Sequence, residues 1–268
     1  MKAHSDALFP EDGRFVVVAL DHGQLFGQLY DRLQDPRRLL EAAVDGGADA
    51  VISSFGIVKA YRSMLGGGIK VILRLDGGPT RYLEQWPRYT EWQQLYDLEA
   101  AVAIGADAVI VMVFFGSPVE TENARILASL ATQAQSCGIP VVAEVIPCAG
   151  PTIPDPFAPR VVADAVRYCF ELGADFVKTT YTGTAESFRH VTNGSPVPVG
   201  ILGGRHAGTL RELLLTAEGS IEGGGAGVFF GRNVWQRANP AETLRALGRI
   251  IHDGDSAEEA LAASAEGS

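Results

Sequence analysis

The chain alternates between short, almost continuously apolar runs and longer segments in which apolar positions follow a helical period. Apolar runs of strand length are typical of parallel strands that are covered on both faces. Eight such runs predict eight strands, at Phe15–Leu20, Ala50–Ser53, Val71–Leu75, Ala108–Val113, Val141–Ile146, Phe176–Thr180, Val197–Leu202 and Gly227–Phe230.

A Gly-Ala-Asp triplet recurs where a helical segment gives way to a strand. It begins at Gly47, Gly105 and Gly173, and Gly225-Ala226-Gly227 is an altered copy. Glycine suits the left-handed position that ends a helix, so each triplet marks a helix-to-strand junction. The segments between the runs predict helices, including Pro36–Asp45, Gln93–Ile104, Glu120–Ser136, Arg160–Leu172 and Leu210–Ile221.

Strand and helix alternating eight times predicts an α/β fold, a (β/α)8 TIM barrel that forms a single domain over residues 1–268. An open doubly wound sheet is the alternative fold. Against it, Asp21-His22-Gly23 follows the first strand, where that fold would place a glycine fingerprint for a dinucleotide. Ala241–Ile251 is the predicted last helix, and the tail from about residue 253 is expected to be a short helix that frays. Pro147–Pro159 is a long loop, expected to form a lid or a substrate wall.

Composition limits the possible partners and compartments. The 268 residues are 47% hydrophobic and carry a net charge of −10, which suits a folded core and opposes binding to nucleic acid or to an anionic membrane. No apolar run is long enough to span a bilayer, and no apolar signal segment follows the N-terminus. Three cysteines without paired spacing argue against disulfides and zinc sites, so we expect a cytoplasmic protein.

Lys178 is the most informative single residue. The chain has four lysines, and Lys178 is the one that lies inside a predicted strand. Burial disfavours the charged form of a lysine, and a desolvated amine is the nucleophile that forms a Schiff base with a carbonyl compound. The sequence therefore predicts an amine nucleophile on the sixth strand.

Other candidate residues follow the ends of the predicted strands, where the active site of such a barrel lies. Glycines after strands seven and eight fit a phosphate site, since their backbone N–H groups can approach the oxygens. An arginine follows the glycine pair after strand seven, and another follows the glycine after strand eight. Each could bind a phosphate through its planar guanidinium group. These glycines could instead serve only to turn the chain. The candidate phosphate-binding residues are Gly203, Gly204, Arg205, Gly231 and Arg232.

Asp21 could control the charge of the lysine or carry a proton, although an aspartate at this position could instead cap the next helix. Thr180 and His22 are candidate substrate-binding residues, and His22 is expected to pack or hydrogen-bond rather than to catalyse. No His-x-His or His-x-x-x-His pair exists, so no metal site is expected.

Four motifs together resemble the archaeal-type class I fructose-bisphosphate aldolase family. They are Asp21-His22-Gly23, Val177–Gly183, Gly203-Gly204 and Gly231–Gln236, in the order and at the strand ends that this family has. The family also contains 2-amino-3,7-dideoxy-heptulosonate synthases and a phosphopentanedione thiolase. The resemblance implies an eightfold barrel, homo-oligomers such as decamers, and chemistry that needs neither metal nor cofactor. It also implies that Lys178 is the Schiff-base lysine, Asp21 its acidic partner, and the glycines with Arg232 a phosphate clamp.

One segment departs from the family pattern. The aldolases and heptulosonate synthases have Tyr-Pro-Arg-Gly after strand five, where the tyrosine is the general acid or base, and this chain has Ile146–Gly150 instead. Glu144 lies two residues before Ile146 and could place a carboxylate on the same face of the strand, since alternate residues share a face. Tyr181 is a weaker candidate. The segment Arg74-Leu75-Asp76 is more charged than is usual in the family, which suggests a different substrate polarity near strand three.

The sequence thus predicts a class I aldolase with Lys178, Asp21 and Glu144 as catalytic residues. Its expected substrates are a phosphorylated ketone, with dihydroxyacetone phosphate as donor, and an aldehyde. A heptulosonate-synthase-like transaldolase, a phosphopentanedione-type thiolase and a non-catalytic barrel that binds a phosphorylated ligand are the alternatives.

Overall fold

The fold was analysed in a computed structural model, which describes residues 8–26, 31–65, 68–82, 91–204 and 208–264. Eight parallel strands close into a barrel, each paired with the next in chain order and β8 with β1. This confirms the predicted TIM barrel. The strands are β1 Phe15–Ala19, β2 Ala50–Ser53, β3 Lys70–Arg74, β4 Ala108–Phe115, β5 Val141–Pro147, β6 Phe176–Thr179, β7 Val199–Leu202 and β8 Gly227–Phe230.

Helices surround the barrel in the alternating order that the sequence predicts. They are α1 Gly23–Phe26, α2 Pro36–Asp45, α3 Phe55–Tyr61, α4 Leu98–Ala103, α5 Glu120–Cys137, α6 Pro159–Glu171, α7 Ala185–Thr192, α8 Leu210–Glu222, α9 Arg232–Trp235, α10 Pro240–Gly248 and α11 Ala257–Ala262. Short 3-10 turns lie at Asp31–Gln34 and Arg62–Met64, and a π-helical turn at Arg249–Asp253 follows α10. Among the described residues, no helix is both long enough and apolar enough to cross a membrane.

The segment after β3 differs from the prediction. A helix was expected over Gln93–Ile104, but Gln93–Gln94 pairs with Asp76–Gly77 as a small antiparallel sheet. The helix begins only at Leu98, because the Asp97 side chain accepts a hydrogen bond from the backbone N–H of Ala100 and so forms its N-cap. The small sheet extends β3 beyond the barrel, over the side of the mouth where Asp76 lies.

The aspartates of the Gly-Ala-Asp triplets have a structural role at the N-terminal end of the barrel. Asp49, Asp107 and Asp175 each precede an even-numbered strand. Each accepts a hydrogen bond from a backbone N–H of the odd-numbered strand before it, at 2.7, 2.9 and 2.8 Å respectively. The triplets therefore fasten β1 to β2, β3 to β4 and β5 to β6. The altered copy before β8 has glycine in place of aspartate, so this bond has no counterpart there.

Aromatic side chains fill the half of the barrel interior that is nearer the N-terminal ends of the strands, here called the lower half. Phe15 stacks on Phe9 with ring centroids 4.3 Å apart and contacts the Phe229 ring at 4.8 Å. Gly200 leaves room for these rings, because a Cβ atom there would lie 2.6 Å from both Phe15 and Phe229. The interior below the strand centres is thus closed by apolar packing, which leaves only the C-terminal mouth for a polar site.

The end of the chain packs against the same lower face. His252, in the π-helical turn, lies 2.8 Å from Asp12 and 3.1 Å from Asp49 through its two ring nitrogens. In α11, Ala257 and Ala260 are completely buried. The C-terminal segment is therefore packed onto the barrel as far as Ser264, the last residue that the structure describes.

Candidate active site

The alternation of side chains along the strands places a polar layer directly above the apolar interior. Phe176, Val142 and Ile72 belong to the buried interior cluster, and the residues two positions later on their strands are Lys178, Glu144 and Arg74. Because side chains two positions apart share a face of a strand, all three point into the barrel. The polar layer arises from strand period alone and not from flexible loops.

Lys178 is the centre of this layer and is 4% exposed. It is the register partner of Glu144 on the adjacent strand, and its Nζ atom lies 2.8 Å from Glu144 Oε1. The structure thus buries the predicted nucleophile and pairs it with the carboxylate that the sequence offered in place of the missing tyrosine. Two groups at this distance can exchange a proton directly.

Arg74 connects the carboxylates of the mouth to one another. Its Nε donates to Asp21 at 2.8 Å, its Nη1 lies 3.3 Å from Asp76, and its Nη2 donates to Glu144. Each of the three guanidinium nitrogens therefore contacts a different carboxylate. Arg74 is 5% exposed, and a charge this deeply buried needs such partners.

The charges of this network determine which carboxylates are ionised. Burial raises the pKa of Asp21, but the positive charges of Arg74 and Lys178 outweigh burial and lower this pKa to about 2. The pKa of Glu144 is also below its ordinary value, since Lys178 and Arg74 outweigh the effect of burial. At neutral pH both groups are carboxylates, which suits a proton acceptor better than a donor.

Asp76 lies deeper and has a different environment. Burial raises its pKa in spite of Arg74 and of hydrogen bonds from the Met112 backbone N–H and the Trp92 indole N–H. These bonds fix the carboxylate at the wall of the mouth and leave it 1% exposed. Asp76 is therefore placed to hold Arg74 in position, because the described neighbours shield its carboxylate from solvent.

His22 lies beside Asp21 at the end of β1. Its ring packs edge-on against Trp235 with centroids 5.5 Å apart, and the Trp235 indole donates to the Ala19 carbonyl oxygen at 3.0 Å. Burial lowers the pKa of His22 more than the neighbouring Asp21 carboxylate raises it. The imidazole is thus neutral at physiological pH and packs against Trp235.

A cavity of about 580 Å³ opens over the C-terminal ends of β5 to β8. Its lining includes Lys178 and Glu144, the predicted binding residues His22 and Thr180, and the predicted phosphate residues Gly203, Gly204, Gly231 and Arg232. The predicted residue Arg205 lies outside the residues that the structure describes.

The two glycine loops of this cavity are fastened to each other. Asn233 donates to the Gly203 carbonyl oxygen at 2.6 Å, and Arg232 donates to the Gly204 carbonyl oxygen at 3.0 Å. Gly204 has a positive φ of 56°, and a Cβ atom at Gly231 would lie 2.4 Å from the His22 ring. Glycine is therefore favoured at Gly204 by its left-handed backbone and required at Gly231 by the nearby His22 ring, and such glycines leave backbone groups open to a phosphate.

A second, smaller cavity of about 140 Å³ lies on the opposite side of Lys178, over β1, β3 and β4. His22, Glu144 and Lys178 line both cavities. The residues that line the smaller cavity alone are Asp21, Gln24, Arg74, Asp76, Gly77, Trp92 and Met112. The mouth thus has two compartments that meet at the amine of Lys178.

Two residues considered from the sequence are not part of this arrangement. The Tyr181 ring packs on Phe188 at 5.4 Å, and its hydroxyl occupies the space beside Gly219 between the outer helices. Tyr181 therefore lines neither cavity. Cys148 lies near the mouth, but burial raises the pKa of its thiol to about 11, so it is not a thiolate at neutral pH.

The smaller cavity contains the residues that sequence reasoning missed. The charged segment Arg74-Leu75-Asp76 was noted only as a sign of substrate polarity, yet Arg74 joins three carboxylates. The spacing of Arg74 and Asp76 was the available signal, since alternate residues on a strand share one face. In the described ranges, no three His, Cys, Asp or Glu side chains are grouped so that they could hold a metal ion.

Comparison with known proteins gives consistent relatives. The chain is 34% identical over 251 residues to a 2-amino-3,7-dideoxy-D-threo-hept-6-ulosonate synthase of Halobacterium salinarum, with 94% of this chain and 91% of that protein covered. It is 32% identical over 259 residues to a class 1 fructose-bisphosphate aldolase of Thermoproteus tenax, with 95% of each chain covered.

A solved structure of a Schiff-base-forming fructose-1,6-bisphosphate aldolase superposes with a TM-score of 0.84 at 32% identity, covering 93% of this chain and 98% of the other. The family described as DeoC/LacD family aldolase matches residues 15–237, which is most of the barrel. The chain belongs to the DeoC/LacD family of aldolases.

Proposed function

We propose that this protein is a class I aldolase in which Lys178 forms a Schiff base with a phosphorylated ketone, with dihydroxyacetone phosphate as donor and an aldehyde as acceptor. The observation that carries the proposal is the buried amine of Lys178, 2.8 Å from the ionised carboxylate of Glu144. The similarity to a Schiff-base-forming fructose-1,6-bisphosphate aldolase supports it.

In the first stage, Glu144 accepts a proton from Lys178, and the neutral amine attacks the ketone carbon. A proton of the attacking nitrogen then moves to the alkoxide oxygen, which gives the carbinolamine. Glu144 then returns that proton to the hydroxyl of the carbinolamine, which leaves as water and yields an iminium. Asp21 is ionised, since its pKa is about 2, and its charge stabilises the positive iminium.

In the second stage, Glu144 is again a carboxylate. It accepts the proton of the hydroxyl group on the carbon that becomes the aldehyde carbon. The electrons of the carbon–carbon bond that breaks move into the iminium, which releases an aldehyde and leaves an enamine. Glu144 protonates the enamine carbon, and water hydrolyses the resulting iminium to free the ketone and Lys178. Glu144 thus does the work of the tyrosine that is replaced by Ile146.

The phosphate of the donor lies in the larger cavity in this proposal. Gly203, Gly204 and Gly231 offer backbone at close range, and Arg232 contributes its positive charge. Thr180 and His22 line the same cavity between these loops and Lys178, so they contact the carbon chain of the donor.

A transaldolase that resembles the heptulosonate synthases would use the same Lys178 chemistry and differ only in donor and acceptor. A thiolase of the phosphopentanedione type uses a thiol acceptor, and the raised pKa of Cys148 argues against this residue as a thiolate partner. A non-catalytic barrel is disfavoured by Lys178 itself, because an unused buried amine costs stability.

We further propose a cytoplasmic homo-oligomer. All three cysteines are unpaired, as a reducing compartment would keep them. Large apolar side chains such as Val102 and Leu95 are about half exposed, at 47% and 53%, and would be covered in an assembly. Light scattering after size exclusion measures the number of copies directly.

Borohydride trapping tests the proposed function. Incubation with dihydroxyacetone phosphate and borohydride should add the reduced donor to the peptide that contains Lys178, as read by mass spectrometry. Lys70→Met is the matched control, because Lys70 pairs with Asp107 at the other end of the barrel, and it should keep the adduct that Lys178→Met loses. A chelator should leave turnover unchanged. If no phosphorylated ketone labels Lys178, the Schiff-base proposal is wrong.

A further inference from the structure

The geometry of the two cavities points to a specificity for the acceptor: we infer that the smaller cavity is the acceptor subsite and that it takes a short aldehyde that carries no phosphate. This inference rests on the proposed function, because it concerns the second substrate of the same Lys178 chemistry. It narrows that function to ketoses phosphorylated at the donor end alone.

The two cavities determine the direction in which the substrate lies across the active site. With its phosphate at Gly203, Gly204, Gly231 and Arg232, and its ketone carbon at Lys178 Nζ, the donor occupies the larger cavity. The two cavities share Lys178, Glu144 and His22 and lie on opposite sides of the amine. The carbons beyond the bond that breaks therefore enter the smaller cavity, over β1, β3 and β4.

The charge of the smaller cavity determines which acceptor it can bind. Asp21 and Glu144 are ionised, and Asp76 is a third carboxyl group in the lining. Among the described residues of its lining, the cationic groups are Arg74 and Lys178. Two positive charges face two or three negative ones, so the sum is zero or −1. Among the described residues of this lining, no cation is in excess to compensate the charge of a phosphate dianion.

Arg74 is not available to bind a phosphate. An arginine at this place could hold a phosphate with its planar fork, but all three of its nitrogens already contact carboxylates, on Asp21, Asp76 and Glu144. Binding a phosphate there would break at least one buried ion pair, which is strongly unfavourable. Arg74 is therefore an internal counter-ion and not an anion site.

The volume of the smaller cavity limits the size of the acceptor. The smaller cavity has a volume of about 140 Å³, against about 580 Å³ for the larger one. The Trp92 and Met112 side chains and Gly77 contribute to its lining. A short uncharged aldehyde matches this volume and can accept or donate hydrogen bonds at Gln24, whose amide donates to the Asp76 carbonyl oxygen at 3.1 Å.

The test compares acceptors and ketoses that differ only in the second phosphate. With dihydroxyacetone phosphate as donor, kcat/KM for glyceraldehyde should exceed that for glyceraldehyde 3-phosphate by at least about tenfold. In the cleavage direction, fructose 1-phosphate should be preferred over fructose 1,6-bisphosphate by a similar factor. Equal use of the two aldehydes, or a preference for the phosphorylated one, overturns the inference.

Gln24 provides a matched pair of variants, since its side chain lines the acceptor cavity alone. Gln24→Lys adds one cation and should reduce the preference at least about fivefold, whereas Gln24→Met has similar length without charge and should retain it. An unchanged preference in Gln24→Lys contradicts the electrostatic cause. The borohydride adduct on Lys178 separates the two levels: without the adduct, the proposed function fails and this inference with it. With the adduct but without the preference, the inference alone fails.

Discussion

Glu144 and Lys178 are register partners on adjacent strands, and this backbone pairing sets the 2.8 Å distance between their functional groups. Each side chain stands above an apolar residue of the barrel interior, so neither depends on a loop for its position. The pairing places the Glu144 carboxylate beside a buried amine, two residues before Ile146, where the resemblance to the aldolases implies a tyrosine.

Glu144→Gln removes the charge and keeps the shape. Turnover should fall by about 10²–10⁴, the range that a positioned general base contributes, and imine formation, read as the borohydride adduct on Lys178, should be slowed less than bond cleavage. Single-turnover kinetics with a phosphorylated ketose separates the two steps. Glu122→Gln is the matched control, because Glu122 pairs with Arg125 on an outer helix and its loss should not alter kcat. Unchanged turnover in Glu144→Gln would remove Glu144 from the proton-transfer step.

Arg74→Met leaves three buried carboxylates without their common counter-ion. Breaking a buried pair in this way should lower the free energy of unfolding by about 3–5 kcal/mol, which urea denaturation measures. The pKa of Glu144 should rise, because Arg74 is one of the two charges that hold it down, so the acidic limb of the kcat/KM profile should move to higher pH. Arg125→Met, on the surface, should change neither quantity. A stable Arg74→Met protein with an unmoved profile would contradict this role.

His252 should make stability depend on pH above neutrality. Hydrogen bonds to Asp49 and Asp12 raise the pKa of His252 to about 9, above an unfolded value of about 6.5. The stabilisation is thus fully present below about pH 6.5 and is lost as pH rises through about 9. Since the side chain is partly exposed, we expect an effect of about 1 kcal/mol or less.

The difference in stability between the wild-type protein and His252→Gln measures this effect. It should be constant below about pH 6.5 and shrink toward pH 9–10, as read from Tm at each pH. His190→Gln replaces an exposed histidine on α7 and should show no such trend. A wild-type-to-variant difference that grows with pH would have the wrong sign.

Strand positions in this chain could be predicted because a parallel barrel buries both faces of its strands. The continuous apolar runs therefore mark all eight strands, and the structure moves their ends by only a few residues. Gln93–Gln94 could not be separated from the helix that follows, since their pairing with Asp76–Gly77 depends on a tertiary contact. The hydrogen bond that the Ala100 backbone N–H donates to the Asp97 side chain decides where that helix begins.

The site could be predicted where one residue is unusual in its strand, as Lys178 is. Arg74 is harder to predict, because the sequence does not show that three carboxylates, two that follow β1 and β3 and one on β5, converge on it. Tyr181 shows the converse case. It follows the lysine strand and looks suitable for proton transfer, yet the chain turns its ring outward onto Phe188.

The aspartates of the triplets lie at the opposite end of the barrel from Lys178. Asp49, Asp107 and Asp175 each join one odd strand to the next even strand, so six of the eight strands are tied in pairs at the barrel floor. New termini opened between two pairs would leave every tie intact, so the pair of strands is a natural unit for circular permutation or for gene duplication. Selection can then rewrite the mouth of the barrel while the floor keeps the register of the strands.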